Sequence, residues 1–242
     1  MKIKKLTLGI VAHADAGKTT LSEAMLFNAK VIRKLGKVDD KNTALDTDAV
    51  EKRRGITIYS REARLERNGV LLQFIDTPGH VDFGAEMERV LPVLDAAVLV
   101  ISGISGVENH TRTLWKLLRY YNIPAFIFVN KMDIARESRE TLFEKLKGEL
   151  SENLIDFSQE KTQIEEELAF CDDELFSLYT EKNQMPEGGV RKAFSKREFF
   201  SVLYGSALKD QGVDELMELV TDLATAKETT EEFGAYCYKV TR

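Results

Sequence analysis

Apolar positions along the chain fall into short runs separated by amphipathic stretches. From Lys5 to Val11 the sequence alternates and then turns continuously apolar. It ends at Gly17-Lys18-Thr19-Thr20, which opens an amphipathic stretch from Thr19 to Ala29, so the pattern predicts strand, loop and helix. Val31 to Arg54 is polar and charged with little periodicity, and predicts a long surface loop of the kind that carries function. Two strand-like runs, Ile56 to Leu65 and Val70 to Ile75, flank Arg67-Asn68-Gly69, where Asn-Gly signals a hairpin. An apolar run from Val93 to Ser102, a helix from Asn109 to Tyr121 and a second run from Ala125 to Val129 predict buried parallel strands with a crossover helix. Helical patterning returns over Ser138 to Leu150, through the acidic stretch Lys161 to Tyr179, and over Val213 to Ala226. A last buried strand, Phe199 to Tyr204, ends at Gly205-Ser206. The alternation defines a three-layer α/β domain with a mostly parallel sheet and one antiparallel hairpin strand, whose ligand site belongs at the carboxyl ends of the strands.

Domain organisation follows from the same pattern. Residues 1–226 form one domain. Residues 227–242 change character: Glu228 to Glu232 is a polar linker, and Tyr236 to Val240 reads as the first strand of a second domain of which the chain holds only the start. Glu165-Glu166-Glu167 reads as a solvated helix face.

The 242 residues are 43% hydrophobic and 31% charged, with 15 Gly and 4 Pro, which places the chain among globular proteins and excludes collagenous or wholly disordered ones. A net charge of −6 argues against a surface that grips nucleic acid throughout, while leaving room for a local RNA contact. The two cysteines, Cys171 and Cys237, make no disulfide framework, so a reducing, cytoplasmic compartment is expected. The apolar run Leu6 to Ala12 barely reaches the length of a signal-peptide core, and Leu91 to Val107 carries Asp95 with several Gly and Ser, so neither a signal peptide nor a membrane span is predicted.

Three motifs carry chemistry. Ala12-His13-Ala14-Asp15-Ala16-Gly17-Lys18-Thr19 matches GxxxxGK[ST] except that Ala12 stands at the first glycine. Between a strand and a helix, the backbone N–H groups of Asp15, Ala16, Gly17, Lys18, Thr19 and Thr20 form an anion-binding nest. Lys18 reaches the β- and γ-phosphates, and the Thr19 hydroxyl suits Mg²⁺. Asp76-Thr77-Pro78-Gly79-His80 follows a strand directly; Asp76 is placed to hold a water on Mg²⁺, and Gly79 lets its N–H approach a γ-phosphate. Asn130-Lys131-Met132-Asp133 ends a later strand. The Asp133 carboxylate there accepts from guanine N1–H and the N2 amine, a pattern adenine cannot match without facing a lone pair with a charge. Lys131 lies along the base plane, and Gly205-Ser206-Ala207 completes the pocket with the Ala207 N–H aimed at guanine O6. Taken singly each motif is an ordinary turn; their order and spacing make them one site.

The set AHADAGKTT, RGITI, DTPGHVDF, NKMD and GSA resembles the G domain of translational GTPases over about residues 1 to 226. Within that group it is similar to elongation factor G and the tetracycline-resistance ribosomal protection proteins. The modest length between Asp133 and Ser206 is closer to the protection proteins, since bacterial elongation factor G usually carries a larger insertion there. The resemblance implies a P-loop GTPase fold that binds GTP or GDP with Mg²⁺ held by Thr19 and by Thr57 of the RGIT segment. It also implies a monovalent cation near Asp15, and His80 as the residue that orients the attacking water. Ala14 and Ile56 fall where the family places an apolar gate. Leu208 stands where SAK has lysine, which changes how the base is covered. The implied partners are the guanine nucleotide and, for the full-length protein, the ribosome; the isolated module is expected to be monomeric and free of membranes. Elongation factor G, a nucleotide-gated binding module with negligible intrinsic hydrolysis and, more distantly, a P-loop ATPase or kinase are the rival readings.

Overall fold

The computed structural model describes residues 4–32, 61–77, 84–182, 185–227 and 236–237. Among these the chain runs β1 (Lys4–Ala12), α1 (Lys18–Asn28), β2 (Arg61–Arg67), β3 (Val70–Asp76), α2 (Gly84–Val90), β4 (Ala96–Ser102), α3 (Asn109–Tyr120), β5 (Ala125–Asn130) and α4 (Arg139–Glu149). It continues through β6 (Leu154–Asp156), α5 (Lys161–Ala169), α6 (Asp173–Lys182), α7 (Glu187–Lys196), β7 (Phe200–Tyr204) and α8 (Val213–Leu223). The strands form one sheet in the order β2-β3-β1-β4-β5-β7-β6. Every neighbouring pair is parallel except β2 and β3, which are antiparallel, as the Asn-Gly signal predicted. Asn68 and Gly69 both take positive φ, 51° and 72°, the conformation a two-residue hairpin turn demands.

Strand periodicity explains the layers. On β1, β4 and β5, one set of alternate side chains (Leu6, Leu8, Ile10; Val98, Val100; Phe126, Phe128) packs with α1, α7 and α8. The other set (Val11; Leu99, Ile101; Ile127, Val129) packs with α2, α3 and α4. Buried on both faces, these strands read as continuous apolar runs. Gly9 belongs to the second face, where a Cβ would stand 2.3 Å from Leu94 Cδ1, so its missing side chain is what admits Leu94 to the core.

Some boundaries and elements differ from the sequence pattern. The run predicted from Val93 becomes a strand only at Ala96, because Leu91–Val93 forms a 3₁₀ turn and Asp95 accepts the Thr7 N–H at 2.7 Å. The stretch Lys161 to Tyr179 is two helices, broken where Asp172 Oδ1 accepts from Glu174 N–H and Leu175 N–H at 2.9 and 3.1 Å and so caps α6. Helix α2, strand β6 and helix α7 have no counterpart in the prediction. The loop expected over Val31 to Arg54 lies outside the described residues beyond Ile32, as does most of the segment after residue 227.

At the amino-terminal ends of the strands, the end of the domain is clipped down. Lys4 Nζ donates to Ala224 O at 2.5 Å, the Lys227 N–H to Asp95 Oδ1 at 2.8 Å, and Lys227 Nζ to Pro92 O at 2.9 Å.

Candidate nucleotide-binding site

The sheet order changes direction at β1, because β3 lies on one side of it and β4 on the other. In doubly wound sheets a ligand crevice opens at such a switch point, beyond the carboxyl ends of the strands. The carboxyl ends of β1, β3, β5 and β7, with the residues that follow them, carry Gly17-Lys18-Thr19, Asp76, Asn130-Lys131-Met132-Asp133 and Gly205-Ser206-Ala207.

Between β1 and α1 the chain bends tightly. Asp15 and Gly17 take positive φ, 60° and 93°, and a Cβ at Gly17 would fall 2.3 Å from Asn130 Nδ2. Only glycine meets both demands. The first bond of α1 is Leu21 N–H to Gly17 O at 2.9 Å, so the amides of Lys18, Thr19 and Thr20 precede the helical ladder and point out of its positive end. Ala16 is fully buried under this bend, Thr19 and Thr20 are half-buried, and Asp15 is exposed.

Lys18 and Asp76 form an ion pair although both are buried, at 7% and 2% exposure. Taking two charges out of water is costly, and a hydrophobic pair would serve stability as well, so such a pair points to chemistry. Asp76 Oδ2 is buried with no hydrogen-bond partner. Among the described residues no cluster of three or more His, Cys, Asp or Glu is placed to hold a metal. Mg²⁺ needs no such cluster, since it keeps most of its waters and takes one or two protein oxygens. The Thr19 hydroxyl and the orphaned Asp76 oxygen fit that donor set.

At the other end of the crevice, Asn130 does a task its sequence position did not reveal. Its Nδ2 donates to Ala16 O at 2.9 Å, and its Oδ1 accepts the Ala207 N–H at 2.9 Å. One buried carboxamide therefore ties the phosphate loop to the loop after β7. The Ala207 N–H, expected to face a base oxygen, is thus engaged by a side chain. Met132 N–H to Gly205 O at 3.0 Å and Gly205 N–H to Val129 O at 2.9 Å complete the join. A Cβ at Gly205 would lie 2.1 Å from Gln211 O, so the glycine of GSA is a packing requirement. Lys131 takes a positive φ of 63°, and its Cε would lie 3.8 Å from a Cβ on Gly17.

The Ser206 hydroxyl beside Asp133, together with the Lys209 ammonium, holds the Asp133 carboxyl below the ordinary range of an aspartate. Lys209 Nζ stands 3.3 Å from Asp133 Oδ2. Leu208 is 61% exposed at the rim.

His13 is buried at the base of the phosphate loop. Its Nε2 accepts the Ser102 N–H at 3.4 Å, so Nδ1 carries the proton and faces Glu108 Oε1 at 3.3 Å. Burial lowers its pKa, against the opposing pull of the Glu108 carboxylate. No periodicity or motif in the sequence links His13 to Glu108. His80, Gly79 and Thr57 lie outside the described residues.

A glycine-sharpened loop, an ion-paired lysine and a helix start, set at the switch point of a mostly parallel sheet, define a P-loop nucleotide-binding domain. A family profile described as the elongation factor Tu GTP binding domain matches residues 4–226; the chain belongs to that family and is a GTPase domain. It is 45% identical over 152 residues to the tetracycline resistance protein TetP of Clostridium perfringens, covering 63% of this chain and 23% of that protein. It is 35% identical over 235 residues to TetS of Listeria monocytogenes, covering 90% and 37%. Elongation factor G of Mycoplasma pneumoniae is 33% identical over 277 aligned positions, covering 94% and 40%. The chain thus spans two fifths or less of the length of these relatives. A crystal structure of a Thermus thermophilus protein superposes with a TM-score of 0.83 at 22% identity, covering 91% of this chain and 40% of the other, and shares the fold.

Proposed function

We propose that the chain is the GTP-binding and GTP-hydrolysing module of a ribosome-associated translation factor of the tetracycline-resistance ribosomal protection type. The observation that supports the guanine reading best is the Asn130 bridge, which ties the GSA loop to the phosphate loop from the same NKMD segment that carries Asp133. Two facts favour the protection type over elongation factor G. Identity to TetP is 45% over the 152 residues aligned and to TetS 35% over 235, against 33% to elongation factor G, and the last alignment is longer than the chain itself, so that relative carries residues this chain lacks.

In this reading the amides of residues 15–20 and Lys18 receive the phosphates, Asp133 receives the base edge, and Lys131 and Leu208 flank it. Lys18 exchanges Asp76 for phosphate oxygens, so charge neutralisation comes from a group already desolvated. Mg²⁺, when bound, supplies further neutralisation of the β- and γ-oxygens, with Thr19 and Thr57 as its protein ligands and Asp76 close by. His80 positions the attacking water, and Asp15 helps hold a monovalent cation at the phosphates. Expulsion of tetracycline from the ribosome belongs to the whole protein, for which this module is the timer.

The test is a thermal-shift titration in Mg²⁺ buffer. GDP at about 100 times its Kd should stabilise the fold by about 2.7 kcal/mol, and ADP should give no shift. Asp133→Asn should move the preference toward xanthine nucleotides, because an amide can donate to the added carbonyl. Equal shifts with GDP and ADP overturn the guanine reading.

A further inference from the structure

Lys209 lies one residue beyond the segment expected to form the base pocket, yet its ammonium stands on the base-reading carboxylate, 3.3 Å from Asp133 Oδ2. Its backbone is held firmly. The Ser206 and Gln211 amides and carbonyls bond reciprocally at 3.0 Å, the Lys209 N–H donates to Ser206 O at 3.1 Å, and Asn28 Nδ2 of α1 holds Asp210 Oδ1 at 2.8 Å. From that fixed turn the side chain reaches Asp133 while remaining 56% exposed, against 12% for Asp133. The cation therefore stays open to water, and the carboxylate it meets is the more sheltered of the two.

We infer that Lys209 is a specificity-determining residue: it shares Asp133 Oδ2 with the exocyclic amine of the bound purine and stands in for that amine when the base lacks it. The inference rests on the guanine reading of Asp133 proposed above. A carboxylate oxygen carries two lone pairs, so Oδ2 can accept from the amine and keep the ammonium. Guanine offers N1–H and the N2 amine; hypoxanthine offers N1–H alone. Without Lys209, hypoxanthine leaves a sheltered carboxylate oxygen short of a donor, which is costly. With Lys209 that oxygen stays paired. The lysine thus narrows the gap between guanosine and inosine nucleotides while leaving adenine excluded, since adenine presents a lone pair to Oδ1. The Ser206 hydroxyl first, and the Lys209 ammonium after it, hold the Asp133 carboxyl below its ordinary range.

The experiment measures Kd for GDP and IDP by titration calorimetry on the wild-type chain, Lys209→Met and Lys209→Arg. The exposed side chain makes unfolding of either variant unexpected, and a thermal melt verifies it. The ratio of the IDP to the GDP Kd should rise about threefold or more in Lys209→Met, the size of one exposed ion pair, and stay within about twofold of wild type in Lys209→Arg. An unchanged or lower ratio in Lys209→Met with GDP still bound overturns this inference alone. Failure of the wild-type chain to bind GDP overturns the guanine reading and this inference with it.

Discussion

The base end of the cleft is joined by neutral amides, the phosphate end by a buried ion pair. Asn130 uses a carboxamide, which needs no counter-ion and loses nothing when a nucleotide arrives, to fix the phosphate loop against the loop after β7. Lys18 and Asp76 instead hold each other in a site nearly closed to water. The contrast separates two kinds of preorganisation. Amide bonds fix a shape, whereas a buried pair stores a charge whose partner changes when phosphate binds.

Three measurements test that contrast. The largest effect is expected at Lys18. Lys18→Met should abolish measurable GDP binding and destabilise the fold by about 3–5 kcal/mol, because Asp76 is left as a buried, unpaired charge. Adding Asp76→Asn should restore most of the stability and none of the binding. Recovery of binding in the double variant would mean that the pair is structural and the contrast false.

An intermediate effect is expected at His80, which the sequence assigns to the phosphate end. His80→Ala in the full-length protein should keep its nucleotide affinity and lose ribosome-stimulated turnover by a factor on the order of 10² or more, the range for removal of a positioning group. Full turnover in this variant would confine the role of the phosphate end to binding.

The smallest effect concerns pH at the base end. Because Asp133 titrates below its ordinary value, its contribution is present above that value and is lost only as pH falls through the lowered one. The GDP-over-ADP preference should therefore change by less than about twofold between pH 7.5 and pH 5, followed by competition titration. A steep loss in that window would show that the Asp133 carboxyl titrates above its ordinary value and not below it.

Much of this arrangement is legible before any coordinates. The strand, loop and helix around Gly17-Lys18-Thr19 announce themselves because a period of two changes to one near 3.6 at a glycine, and Asn68-Gly69 specifies its turn by chemistry alone. Elsewhere local signals mislead. Pro186-Glu187-Gly188-Gly189 carries the residues that punctuate loops, yet it is the cap and first turn of α7, which forms because Val190, Ala193 and Phe194 find the sheet. Three residues, Leu154 to Asp156, are too few to show a period, and become β6 only through pairing with β7. The 80% exposed Phe170 continues an apolar rhythm across the break between α5 and α6, which hides it. In the site, the residue types were legible and their mutual contacts were not. The Asn130 bridge, the His13 and Glu108 contact and the Lys209 pairing all join positions that only the fold brings together.

The clip at the far pole has a geometric meaning. Residues 224 to 227 are fastened to Lys4, Pro92 and Asp95, at the feet of the two central strands, β1 and β4. The first of them, β1, runs unbroken from Lys4 in the clip to Ala12 at the edge of the bend from His13 to Gly17, so the end of the domain and its phosphate-binding bend stand at opposite ends of one strand.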